Sequence, residues 1–190
     1  MDTYTAEVGQ QTLRSYIPKQ LLLVGSASYN DDGSTTEGTG EGGGQIVLYS
    51  VNDFNFELEQ IQSYAHVMHH EFAHILHQNV EYDAEFEKIT PSYSSSWMQM
   101  NDETARSKGF ITAYAFSSAD EDFAEMVSIM LTNSPEDWDN MIENAGNAAA
   151  VEALRKKEAI VVAYMKNNWG VNMKDFQKEV VAAIEAAVRN

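Results

Sequence analysis

Residues 58–77 constrain this chain more than any other stretch, because only a helix sorts them into two unlike faces. At ~100° per residue, Leu58, Ile61, Tyr64, Ala65, Met68, Phe72, Ile75 and Leu76 gather on one broad side. His66, His70, His74 and His77 gather on the opposite side, and only His69 points elsewhere. A strand would scatter both sets over its two faces. The spacing predicts a helix over residues 54–79 with a core face and an imidazole face.

All five histidines of the chain lie on that helix. His70 and His74 are one turn apart, so both rings can reach one ion. Glu71 lies beside His70 in "HEFAH", an H-E-x-x-H pattern in which the carboxylate acts as general base on a metal-activated water. A catalytic zinc needs a third protein ligand. The segment "ADEDFAEM", residues 119–126, opens a second predicted helix that Ser118 can cap, and its Glu121 and Glu125 share a face. Glu121 is assigned as the third ligand. Glu125 is assigned to hold a ligand histidine through its free ring N–H. Asp120 and Asp122 suit a helix start, where acids complement the macrodipole.

The rest of the chain bounds these readings. It has 190 residues, enough for one well-buried core and too few for two generous domains. A formal net charge of −17 excludes a nucleic-acid partner and disfavours an anionic membrane surface. Most Lys and Arg fall after Leu154, on what read as solvated helix faces. With no cysteine there are no disulfides and no thiolate ligands. No apolar run approaches the ~18–20 residues of a membrane span. "MDTYTAEVGQ" lacks the basic start and apolar stretch of a signal peptide, so an exported form would have lost its leader.

Residues 5–17 read as a short helix ending before Pro18, and residues 20–29 and 44–51 as two strands. Between them, residues 30–44 are polar and glycine-rich and read as a mobile loop. Residues 81–118 read as irregular, and residues 135–144, 148–168 and 173–189 as helices, with Asn172 capping the last. Strands first and helices afterwards predict one α+β domain over residues 1–190. It divides into a sheet part (1–53), the site helices with their connection (54–132) and a helical C-terminal part (133–190).

"HEFAH" followed by "EDFAE" resembles the gluzincin class of zinc metallopeptidases, whose pattern is H-E-x-x-H with a distant E-x-x-x-D/E. Tyr114, seven residues before Glu121 in "YAFSSADEDFAE", is similar in spacing to the anthrax-lethal-factor type of site, where a tyrosine faces the zinc and assists catalysis. The wording of residues 67–79 and 110–131 resembles most a family of zinc metallopeptidase lipoproteins of Bacteroidetes. The resemblance implies a zincin-like fold, Zn2+ as cofactor and a peptide or protein substrate. It also implies export to the cell surface or periplasm, with a lipid anchor upstream. A metzincin would want glycine at 77 and histidine at 80, where this chain has His77 and Val80.

Other residues keep two readings. His66 and His77 share the metal face and line a cleft or bond a carbonyl; His69 belongs at the surface. Tyr93 competes with Tyr114 as oxyanion donor. Trp97, Met98 and Met100 form either a substrate wall or ordinary core. The strand at 44–51 either pairs with an extended peptide or lies inside the sheet. The expected function is zinc-dependent peptide hydrolysis; the alternatives are a zinc-containing binding module without turnover and a non-peptidase zinc hydrolase.

Overall fold

Two glycines spaced by two explain how the sheet reaches the histidine helix. The computed structural model describes residues 15–31, 33–41 and 43–188. Strand β1 (Gln20–Leu23) is followed by a small hairpin of β2 (Ser28–Tyr29) and β3 (Thr35–Thr36). Then come β4 (Gly38–Glu41) and β5 (Gln45–Leu48). β5 is central, parallel to β1 on one side and antiparallel to β4 on the other. Its Ile46, Val47 and Leu48 are buried, as a covered central strand requires.

Here the structure corrects the mobile loop read at 30–44. Alternation puts Gly38 and Gly40 on the same side of β4, the side that lies against the histidine helix. A side chain at Gly38 would collide with Val67, and a Cβ at Gly40 would lie 3.2 Å from the Glu71 carboxylate and carbonyl oxygens. These glycines serve close backbone approach, not flexibility. The single strand read at 20–29 is also two, broken by a bend at Gly25 and Ser26. The helix read at 5–17 lies outside the described residues except for its end, where Ser15 and Tyr16 are helical.

Helix α1 (Leu58–Asn79) starts four residues later than periodicity suggested, because the backbone is extended at Phe54, after a 3-10 turn at Val51–Asp53, and again at Glu57. Ala65, Phe72, Ile75 and Leu76 are buried on the expected face. Val67, His70 and His77 are buried too, since β4 and a later helix cover the remaining sides. Residues 81–118 hold two short helices, α2 (Glu85–Ile89) and α3 (Asp102–Arg106), and 3-10 turns at Ser95–Gln99 and Tyr114–Phe116.

Helix α4 (Ala119–Thr132) is the centre of the molecule. Ser118 Oγ accepts the Glu121 N–H at 3.2 Å and so starts it. Phe123, Ala124, Met126, Val127, Met130 and Leu131 are buried on several sides of it, between α1 and the C-terminal helices. Those are α5 (Pro135–Glu143), α6 (Ala148–Trp169) and α7 (Met173–Val188). Each begins at a side-chain cap: Ser134, Asn147 and Asn172, whose Oδ1 accepts the Lys174 N–H. Gly170, at φ 67°, ends α6 in the left-handed conformation that favours glycine.

Two readings of charge are corrected here. Lys157, expected on a solvated face, is fully buried, with Nζ 2.6 Å from Asp122 Oδ2, 2.8 Å from Gly109 O and 4.1 Å from the Phe110 ring centre. Asp122, expected merely to face a helix dipole, is its buried partner and also accepts from Tyr93 Oη at 3.0 Å. A charge taken from water needs such a partner, which is why the two are found together. One hydrophobic cluster runs from Ile46 to Ile184, so sheet and helices share a core. Among the described residues no helix is long and apolar enough to cross a membrane.

Candidate metal centre

The i, i+4 spacing on α1 brings the His70 and His74 rings together, with their Nε2 atoms 3.0 Å apart. One turn into α4, Glu121 aims its carboxylate at the same point, with Oε2 3.0 Å from His70 Nε2 and 3.1 Å from His74 Nε2. Three donors around one zinc at ~2.0–2.2 Å in tetrahedral geometry stand a little over ~3 Å apart, so the set fits this ion. The other ring nitrogens are committed elsewhere. His70 Nδ1 lies 2.8 Å from Glu125 Oε1, and His74 Nδ1 lies 2.8 Å from His77 Nε2. With protons on both Nδ1 atoms, both Nε2 lone pairs face inward, as ligation requires.

Electrostatics agree with that geometry. Burial alone would lower the His70 pKa, but hydrogen bonds and charge from Glu121 and Glu125 outweigh it and lift it to about 10. Burial works against the Glu121 carboxylate as well, yet His70 and His74 hold its pKa down to about 2. Without metal, a proton on His70 offsets the carboxylates, and an ion would take over that task. Glu125 is buried completely and still held well below the ordinary carboxylate range, since His66 and His70 outweigh its desolvation. Its Oε1 lies 2.9 Å from His66 Nε2, and its Oε2 accepts from Thr112 Oγ1 at 2.7 Å. Thr112 Oγ1 in turn accepts the Ala115 N–H at 3.1 Å, tying the turn that carries Tyr114 to Glu125.

Glu71 points into a cleft of about 560 Å³ between α4 and the β2–β3 hairpin with Glu37 and Gly38. Burial raises its pKa, against the lowering influence of His70 and His74, and the Gly40 N–H donates to its carboxylate. Tyr114 stands on the same cleft, its ring 5.8 Å from that of His70 and 4.9 Å from that of Trp97. Burial first, then the Glu121 carboxylate, keep its phenol protonated far above the usual range. Tyr93 is turned away, donating to Asp122 on the far side of α4. Of the wall read at 97–100, Trp97 lines the cleft, Met98 is exposed and Met100 packs on the core.

His69 is not a surface residue. It is half-buried, edge-on to Phe176, and lines an apolar cavity of about 380 Å³ behind α1; burial pushes its pKa down to about 4. That cavity carries no acid–base pair, so the chemistry belongs to the polar cleft. Sequence reasoning missed the hydrogen-bonding roles of His66, His77 and Thr112. For the two histidines the signal was present, since i, i+4 and i, i+3 neighbours of a ligand touch it. Nothing local marks Thr112.

A family model described as "putative zinc-binding metallo-peptidase" matches residues 1–174. A crystal structure of a protein from Bacteroides caccae ATCC 43185, bearing the same description, shares 33% identity with the chain at a TM-score of 0.82. That match covers 100% of this chain and 73% of the other. The search of curated proteins matches nothing. With that likeness, the small sheet and the helices that follow are a zincin-like α+β fold.

Proposed function

The chain belongs to this zinc-binding metallo-peptidase family, and from that premise we propose that it hydrolyses peptide bonds in the cleft that Glu71 and Glu121 line. The observation that carries the reading is the convergence of His70 Nε2, His74 Nε2 and Glu121 Oε2 within 3.0–3.1 Å, beside a carboxylate that is not one of them. Three protein donors leave a fourth position open, which suits catalysis better than a purely structural site. In this reading His70, His74 and Glu121 hold zinc. When bound, zinc supplies a Lewis acid that polarises the scissile carbonyl and makes a water more acidic.

Glu71 takes a proton from that water and delivers it to the leaving amine. Half-burial lifts its pKa, which makes it a stronger base than an exposed carboxylate, and the Gly40 N–H keeps it in place. Tyr114, protonated at any working pH, donates to the developing oxyanion, a contribution of ~2.7–4 kcal/mol if it behaves like other such donors. An extended substrate meets the sheet at β4, an edge strand that reaches the cleft at Gly38, and not at β5, which is paired on both sides.

The test is cleavage of a peptide library by zinc-loaded protein, with wild type beside Glu71→Gln. Wild type should cut; the variant should keep zinc and fold and lose turnover. Cleavage retained in the variant would remove Glu71 from the chemistry. No cleavage by zinc-loaded wild type would leave a zinc-binding module without turnover.

A further inference from the structure

The two candidate ligand imidazoles are held by different chemistry. His70 has a carboxylate behind it, whereas His74 has another imidazole. His77 Nε2 stands 2.8 Å from His74 Nδ1, and the His77 ring is 7% exposed. Its ring lies edge-on to Tyr82 at 5.5 Å and to Phe123 at 6.0 Å. Tyr82 is stacked on Phe123 at 4.3 Å and donates to Asp120 Oδ1 at 2.7 Å. That Asp120 oxygen lies 4.0 Å from His77 Nδ1, the nitrogen facing away from the site.

This arrangement gives the protons a direction. If His74 offers its Nε2 lone pair to a metal, its own proton must sit on Nδ1. That proton points at His77 Nε2, which must then present a lone pair. The His77 proton therefore sits on Nδ1, toward Asp120, whose oxygen is already fixed by Tyr82. We propose that His77 is a positioning residue for the metal centre, fixing both the ring orientation and the tautomer of His74 by accepting its Nδ1–H. The proposal rests on the reading of His74 as a ligand. Its chemical content is the acceptor atom and not the bulk of the ring. A carboxylate is the commoner partner for a ligand histidine; a neutral acceptor holds the ring without adding charge to a site that already carries Glu71, Glu121 and Glu125.

Zinc affinity, measured by competition with a chromogenic chelator, should separate acceptor from bulk. His77→Leu fills the space without an acceptor and should weaken binding about 10–100-fold. His77→Gln can place an oxygen where Nε2 stood and should recover most of the loss. Nitrogen-15 spectra of the histidine rings in zinc-loaded protein supply a second readout. They should show His77 protonated on Nδ1, with Nε2 unprotonated, in wild type. Should His77→Leu fail to fold, the wild-type spectrum and the zinc affinity of His77→Gln decide. Equal weakening by Leu and Gln, no weakening by Leu, or a His77 proton on Nε2 would each overturn the role of His77. Wild type that binds no zinc, or binds it with His74 uncoordinated, would instead overturn the ligand reading on which the proposal rests.

Discussion

Within five residues, α4 carries three carboxylates that meet opposite fates. Glu121 and Glu125 face α1 and end on imidazoles, at 2.8–3.1 Å from ring nitrogens of His66, His70 and His74. Asp122 faces the other way and ends on the Lys157 ammonium and the Tyr93 hydroxyl. The pKa values diverge accordingly. Glu121 is held down to about 2, whereas burial pushes Asp122 up to about 6 despite Lys157. Lys157 is itself lowered by burial, so the pair is desolvated from both sides. Imidazoles can surrender their protons to a metal near neutrality, but a buried ammonium cannot. One face of the helix meets imidazoles that could trade their protons for an ion, and the other ties the helix to α6.

That contrast can be broken from either side. The largest effect on folding is expected from Lys157→Ala, which strands Asp122 in the core and should cost about 3–5 kcal/mol in urea unfolding. Lys157→Met combined with Asp122→Asn should recover much of this, and neither change should alter zinc affinity of the folded protein. Glu121→Ala should do the reverse. Taking roughly 10–16 kcal/mol for a zinc site shared among four ligands, one ligand is worth about 2.5–4 kcal/mol of binding, read by chelator competition. In metal-free protein the substitution also removes a partner of His70 and His74, so some stability should be lost there too, less than for the fully buried Lys157–Asp122 pair. Glu125→Gln keeps the size and one acceptor and should weaken zinc about 10–100-fold.

The gentlest effect is a pH slope, at most about 1.4 kcal/mol for each unit for one group. The folded His70 pKa, about 10, lies above its ordinary 6.5, so its contribution is full below 6.5 and is lost as pH rises through about 10. Glu121, depressed to about 2, contributes above its ordinary 4.5 and loses that as pH falls through about 2. Asp122 is raised from 3.8 to about 6, so its ionisation lowers stability as pH rises across that interval and changes nothing above it. The His70 limb therefore lies above the window of Asp122. Metal-free wild type should lose stability between pH 7 and 10, and Glu121→Gln should flatten that limb.

Much of the centre was legible because helical periodicity is local. His70, Glu71 and His74 need only one turn of α1, and Glu121 and Glu125 one turn of α4. The caps at Ser118 and Asn172 were legible for the same reason. What resisted was tertiary. Glycine at 38 and 40 looks like looseness until α1 is laid against β4, when each missing Cβ becomes a contact distance. Lys156 and Lys157 are alike in sequence, yet one is paired with Glu152 at the surface and the other is buried on Asp122. His66 and His77 were placed on the right face of α1 but without their bonds, which depend on where α4 and Tyr82 lie.

Two overlapping clusters could hold an ion, His70–His74–Glu121 and His66–His70–Glu125, so the most direct test is to see which one does. A crystal of zinc-loaded protein, with anomalous differences collected on both sides of the zinc edge, answers this in one map. The expected result is a single peak ~2.0–2.2 Å from His70 Nε2, His74 Nε2 and Glu121 Oε2, with Glu125 on His70 Nδ1 and off the metal. A peak between His66 Nε2, His70 Nδ1 and Glu125, with Glu121 turned away, would contradict the account at its centre.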